Sequence, residues 1–217
     1  MPASSTPAAV DAVQRIVDLE DLGPSVRVTT SLRTTLGDAP SALWPMLTRP
    51  ALLETWYGPV TVADGAFEAV GGAHGGVLEA EAPHRLRLSW EYGTNVDDLA
   101  IALDPEDDGT TELRLVHVAD VPHEVFDRFG PGATALGWDI ALLGLAARTG
   151  AWRELCLDVP APSAVWLASE DGARYVRAWS IRWAAASVAA GTDETVARRG
   201  EVETARAYGG LRDVAAV

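Results

Sequence analysis

The sequence predicts an α+β fold in which a curved antiparallel sheet wraps around one long, apolar helix. Three observations carry this reading. Segments between Ser25 and Val118 alternate apolar and polar side chains with period two, the mark of half-buried strands. Turns rich in Gly, Pro, Asn and Asp separate those segments at short intervals. The stretch from Pro131 to Thr149, PGATALGWDIALLGLAART, is then apolar on nearly every side, with only Thr134, Asp139, Arg148 and Thr149 clearly polar. A helix this apolar needs cover over most of its circumference. Asp139 interrupts the run and Gly137 and Gly144 dilute it, so a membrane span is not the reading. A bent sheet around such a helix leaves a space between them, which is where a ligand pocket belongs.

Taken in order, residues 1–24 begin as a polar, Ala/Pro/Ser-rich tail, with a short helix expected over Ala12 to Leu22. Ser25 to Thr34 reads as a strand, with Val26, Val28, Thr30 and Leu32 on one face and Arg27 and Arg33 on the other. Asp38 offers an N-cap to a short helix from Ala39 to Leu47. Pro50 opens a second short helix that ends near Trp56, before Gly58-Pro59. Strands follow at Gly65 to Val70, Val77 to Ala82, Arg85 to Tyr92, around Leu99 to Leu103, and Thr110 to Val118. A loop through Pro122 and Phe126 leads to the long helix, which Pro131 opens and Gly150 closes. Residues 25–155 thus form the main domain and 156–217 a helical extension, with a linker at Asp158 to Pro162. In the extension, Gly172 to Ala190 carries Tyr175, Trp179 and Trp183 on one helical face, and a second helix runs from about Asp193 to Tyr208 with Thr192 as its cap. The aromatic stripe can cover the open side of the long helix. A homodimer through the C-terminal helices is the other use for it, and closing the cavity mouth a third.

Composition narrows the function. A hydrophobic content of 48% and eight Trp support a substantial core in a chain of 217 residues. The single Cys156 forms no internal disulfide, carries no nucleophile motif, and fits a reducing compartment. The N-terminus lacks a basic segment followed by an apolar block, so the expected location is the cytoplasm. A net charge of −14 disfavours nucleic acid and anionic membrane surfaces as partners. Every one of the 17 basic residues is Arg, which excludes a Schiff-base lysine and a lysine-bearing phosphate loop. His74, His84 and His123 lie in turns without the close pairing of a zinc site, and GGAHGG at 71–76 joins two strands and opens no helix. No metal and no cofactor is expected.

The segments ALWPMLTRPALLETWYGP, FEAVGG, GGVLEAEAPHRLRLSW and GTTELRLVH, followed by GW in the long helix, occur in an order that resembles one known family. It is that of the heat-shock protein 90 ATPase activator C-terminal domain, within the START-like, or SRPBCC, helix-grip superfamily. The resemblance covers about residues 26–155. It implies a helix-grip fold with a deep apolar cavity between sheet and helix. Relatives of this fold bind lipids and hormones, cyclise polyketides, or have no known activity, so no single reaction is implied. The eukaryotic activator has a separate N-terminal chaperone-binding domain, and nothing of that size precedes Ser25.

The leading expectation is therefore a protein that binds a small hydrophobic or amphipathic molecule without catalysis. Its wall is expected to include Trp56, Phe67, Trp90, Leu99, Ile101, Leu115, His117, Trp138 and Leu142, with ordinary core packing as the alternative role for the aromatics. His117 shares a strand face with Leu113 and Leu115, and a buried imidazole there needs a partner, so a satisfied structural histidine is its first reading and a polar ligand contact or general acid/base the other. Glu79 matches a recurring family carboxylate and would be that partner, or the partner of a ligand hydroxyl, if it points inward; its strand gives little phase information, and an outward, solvated Glu79 is the favoured reading. Were the two together, a cyclase, dehydratase or hydrolase using His117 and Glu79 for proton transfer would be the alternative. A chaperone-associated interaction module is the third.

Overall fold

The computed structural model describes residues 6–69, 71–152 and 159–209, so Val70, Cys156 and Asp158 lie outside the described residues. In chain order the elements are α1 (Thr6–Asp11), β1 (Gln14–Asp21), β2 (Ser25–Leu36), α2 (Pro40–Thr48), α3 (Pro50–Leu53), β3 (Val60–Ala63), β4 (Ala66–Ala69), β5 (His74–Glu81), β6 (Arg85–Tyr92), β7 (Asn95–Pro105), β8 (Thr111–Pro122), α4 (His123–Phe129), α5 (Gly132–Thr149), α6 (Ala164–Leu167), α7 (Glu170–Ala189) and α8 (Glu194–Gly209). The strands form one antiparallel sheet in the order β1-β2-β8-β7-β6-β5-β4-β3. This is the α+β helix-grip architecture, and α5 is the helix that the sheet holds.

Alternation in sequence becomes two faces through register. His117, Leu99 and Leu88 stand opposite one another on β8, β7 and β6, and Leu115, Ile101 and Leu86 form the next row. Leu32 on β2 extends that second row. Because side chains alternate along each strand, both rows face α5, while Arg85, Arg87, Ala100 and Arg114 face away.

Helix α5 starts after Pro131 and stops at Gly150, whose φ of 67° and ψ of 28° form a left-handed cap. A glycine takes that conformation without the cost of a Cβ. Along α5 only Arg148 is exposed. The sheet covers one side and α7 covers the other, since Tyr175, Trp179 and Trp183 are at most 2% exposed within the same core. Burying each of these aromatics is worth about 1.5–3 kcal/mol. The stripe is thus used inside the chain, which withdraws it from the dimer contact and the cavity lid also expected of it.

Several elements differ from expectation. Residues 14–21 form β1, paired with β2, where a helix over Ala12 to Leu22 was expected. Arg15 occupies an inward position on that strand and so breaks the apolar alternation. Its guanidinium meets Asp139 on α5 at 2.6 Å, while its Nη1 donates to the carbonyls of Val10 and Val13. Ala39, not Asp38, precedes α2, and no side chain caps that helix. Asp193, rather than Thr192, caps α8 by accepting from the Thr195 and Val196 amides. Strand β3 and helix α4 come from stretches read only as connections. Among the described residues, no helix is long and apolar enough to cross a membrane.

Candidate functional site

Between the concave face and α5 lies a cavity of about 340 Å³. Phe67 from β4, Leu86, Leu88 and Trp90 from β6, Leu99 and Ile101 from β7, and Leu113 and Leu115 from β8 build its sheet wall. Trp138, Ala141, Leu142 and Leu145 supply the helix wall, and Trp44, Leu47, Trp56 and Tyr57 close it from α2, α3 and the turn that follows. Residues three or four apart on a helix share a face, which is why Trp138, Leu142 and Leu145 meet the same space. Gly144 lets that turn approach α5 closely: a Cβ there would stand 2.6 Å from the carbonyl oxygen of Trp56. The cavity opens where Val62, 45% exposed, and the exposed Ala80 form its rim.

The aromatic rings touch in sequence. Phe67 stacks on Trp90 at 5.4 Å between centroids, Trp90 meets Trp138 edge-on at 4.9 Å, and Tyr57 meets Trp90 edge-on at 6.5 Å. Polar groups in the wall are few, and two of them are engaged. The Thr48 hydroxyl donates to the Trp44 carbonyl and the Trp56 indole donates to the Met46 carbonyl. The Tyr57 hydroxyl has no hydrogen-bond partner among the described residues. Burial pushes the Tyr57 phenol above its ordinary pKa, because the phenolate would lose hydration there. No carboxylate, guanidinium or imidazole belongs to the described lining.

Of the residues named from sequence, Trp56, Phe67, Trp90, Leu99, Ile101, Leu115, Trp138 and Leu142 all border this space. His117 does not. It lies behind Trp138, with ring centroids 5.6 Å apart, and is 2% exposed. Its partner is Asp97, whose Oδ2 is 3.0 Å from Nε2, so in the neutral form Nε2–H donates to the carboxylate. The Nδ1 atom is buried and meets no partner among the described residues. Glu79 is exposed on the outer face, opposite Arg87. The two groups proposed for proton transfer are therefore on opposite sides of the sheet.

The reason is a β-bulge. Between Val77 and Glu79 the register with β6 shifts, so Val77 faces Leu88, Leu78 is the extra residue, and Glu79 faces Arg87. Val77 and Ala80 consequently both reach the cavity, and Leu78 is 56% exposed. Strict alternation cannot place a residue beyond a bulge. Leu86 and Leu88, by contrast, lie in phase with Trp90 and were findable on that ground. Nothing in the sequence marks Tyr57 or Asp97, which sit beside turns. The other histidines are scattered: His84 Nδ1 lies 2.9 Å from the Leu103 carbonyl and His123 lies 3.4 Å from Asp21. Among the described residues no three His, Cys, Asp or Glu side chains are grouped to hold a metal ion.

The crystal structure of CalU16 from Micromonospora echinospora superposes with a TM-score of 0.58 at 20% identity, over 82% of this chain and 99% of its own. The solution structure of CalU16 gives 0.55 at 21% identity, over 94% and 96%. PFC0360w, an HSP90 activator from Plasmodium falciparum, gives 0.49 at 18% identity, over 57% and 96%. No curated protein sequence matches. The CalU16 likeness shows the shared fold. The family described as activator of Hsp90 ATPase homolog 1-like protein matches residues 39–150, which run from the start of α2 to the cap of α5. That span is just over half of the chain and contains most of the cavity wall, so the chain belongs to the activator of Hsp90 ATPase homolog 1-like protein family.

Proposed function

We propose that the protein binds a small, uncharged, largely aromatic molecule in the cavity between sheet and helix, without transforming it. The observation that carries this is the wall itself, with six aromatic side chains and no charged group around about 340 Å³. A carboxylate or ammonium in this space would lose its hydration with no opposite charge to meet it, which costs several kcal/mol. A neutral ring system loses little and gains stacking against Phe67, Trp90 and Trp138. The Tyr57 hydroxyl supplies a donor, which favours a ligand carrying a carbonyl or ether oxygen. His117, shielded by Trp138, supports the wall and does not touch the ligand. The reading places this activity in the cytoplasm.

The test is a titration that follows Trp emission with 2-naphthol and, separately, 2-naphthoate at neutral pH. Saturable quenching by the neutral compound, with the carboxylate at least roughly tenfold weaker, is expected, since tenfold corresponds to only about 1.4 kcal/mol. Equal affinity for both, or saturation by neither, contradicts the reading.

A second reading, association with an Hsp90-type chaperone, rests on the family match alone. Stimulation of a chaperone's ATPase by the full chain would support it.

A further inference from the structure

The outer face of the sheet carries a cluster of arginines that the cavity does not use. Register places Arg33, Arg114, Ala102 and Arg85 in one row across β2, β8, β7 and β6. Arg33 and Arg114 stand directly opposite each other, an arrangement of like charges that is unfavourable unless something neutralises it. In a chain with 31 carboxylates and 17 arginines, such a pair would be expected to recruit acidic partners. Its neighbours do: Arg85 pairs with Asp104 at 3.0 Å and Arg87 with Asp98 at 2.6 Å. Among the described residues neither Arg33 nor Arg114 has a salt bridge, and the Nε of Arg33 is buried without a hydrogen-bond partner. Between Arg114 and the Arg85/Arg87 side lies a cleft of about 200 Å³ floored by Ala100 and Ala102, with Glu79 at its margin. The small floor residues leave room above the sheet, and the guanidinium forks stand around it.

We propose that this cleft binds a small oxyanion, a carboxylate or a phosphate, with Arg114 as its principal contact and Arg33 as the second cation behind it. A planar guanidinium donates two parallel hydrogen bonds to either kind of group. The cleft is too small for a protein segment of any length. The net charge of −14 does not forbid such a site. At physiological salt the field of distant carboxylates is screened beyond about 8 Å, so the nearest charges decide. The same screening makes the site weaken as salt is raised.

The test follows the arginine Nε–Hε signals of the full chain by NMR during titration with inorganic phosphate and, separately, with succinate. Saturable shifts at Arg33 and Arg114 are expected, with binding roughly tenfold or more weaker in Arg114→Gln, as loss of one charge-assisted fork implies. A stronger response to phosphate assigns the site to phosphate-bearing ligands, and a stronger response to succinate assigns it to carboxylates. No saturable shift with either anion, or the same shifts in Arg114→Gln, overturns the proposal. Thermal melting separates binding from structure. Without added anion Arg114→Gln is expected to melt no lower than the wild type, because it removes one of two facing cations. A melting point several degrees lower would instead make Arg114 a structural residue and also overturn the proposal.

Discussion

Asp139 sits in the middle of the long apolar helix α5, held by side chains from both ends of the sequence. Arg15 reaches it from β1, and the Trp183 indole donates to its Oδ2 at 2.6 Å from α7. Burial pushes its carboxyl above the usual range, while Arg15 and the Trp183 N–H pull it back. Removing one member leaves a buried charge without its counterpart, so Asp139→Ala is expected to cost about 3–5 kcal/mol in chemical unfolding. Replacing Asp139 by Leu and Arg15 by Met together is expected to recover most of that loss. A double variant no more stable than Asp139→Ala would show that the pair does more than satisfy itself. Tyr57 gives a prediction in pH. Its folded pKa lies above the ordinary value of 10.0, so its contribution to stability is complete below pH 10 and is lost as pH rises through the folded value. Stability of the wild type is expected to fall more steeply above pH 10 than that of Tyr57→Phe; parallel profiles would place the phenol in water. At this scale the sequence shows apolar positions well and partners poorly. Asp139 was visible as an interruption of an apolar run, yet its partners lie 124 and 44 positions away. Asp97, likewise, finds His117 only once the β7–β8 register is known.

The elements divide by whether a local signal names them. Pro131 and Gly150 bracket α5, and a proline at the start with a left-handed glycine at the end can be read directly. Strands β6 and β8 alternate without a break, so their inward residues were also legible. In β1 the signal fails because an arginine occupies an inward position, and only tertiary contact makes that tolerable. In β5 it fails because of the bulge at Leu78. That bulge yields a further prediction. Deleting Leu78 restores a regular ladder in which Val77 stays inward and Glu79 outward, so circular dichroism and Trp emission are expected to match the wild type. Loss of the folded spectrum would mean that the bulge itself shapes the cavity rim. Gly144→Ala should be less well tolerated, because the new methyl meets the Trp56 backbone rather than a flexible side chain. A cost of about 1–3 kcal/mol is expected from that overpacking.

Over the whole molecule, one continuous core joins the sheet, α5 and the C-terminal helices, with Leu32, Leu115, Leu143, Tyr175 and Trp183 in the same cluster. The extension therefore stands as the outer cover of α5, and the sheet provides the inner. With cover on the far side, α5 does not have to be packed tightly on the near side, and the cavity persists between helix and sheet. Trp183→Ala is expected to cost about 3–5 kcal/mol and to lower the whole transition, with circular dichroism and Trp emission still coincident. Two separated transitions would mean that the extension folds on its own. The fold class and the identity of the long helix follow from pattern alone. The cover that the Tyr175–Trp183 stripe gives the long helix was also among the expected uses, whereas the N-terminal strand needed the tertiary structure, because it depends on a partner contributed from far along the chain.

Whether an uncharged guest occupies the space between Trp138 and Trp90 is decided by calorimetry with 2-naphthol on the wild type and on Ala141→Phe. Ala141 lines the cavity from α5, so a phenyl ring there fills the volume a ligand would take. One binding event per chain is expected in the wild type and none in the variant, at an unchanged melting temperature. Equal binding by both proteins would place the ligand outside this cavity.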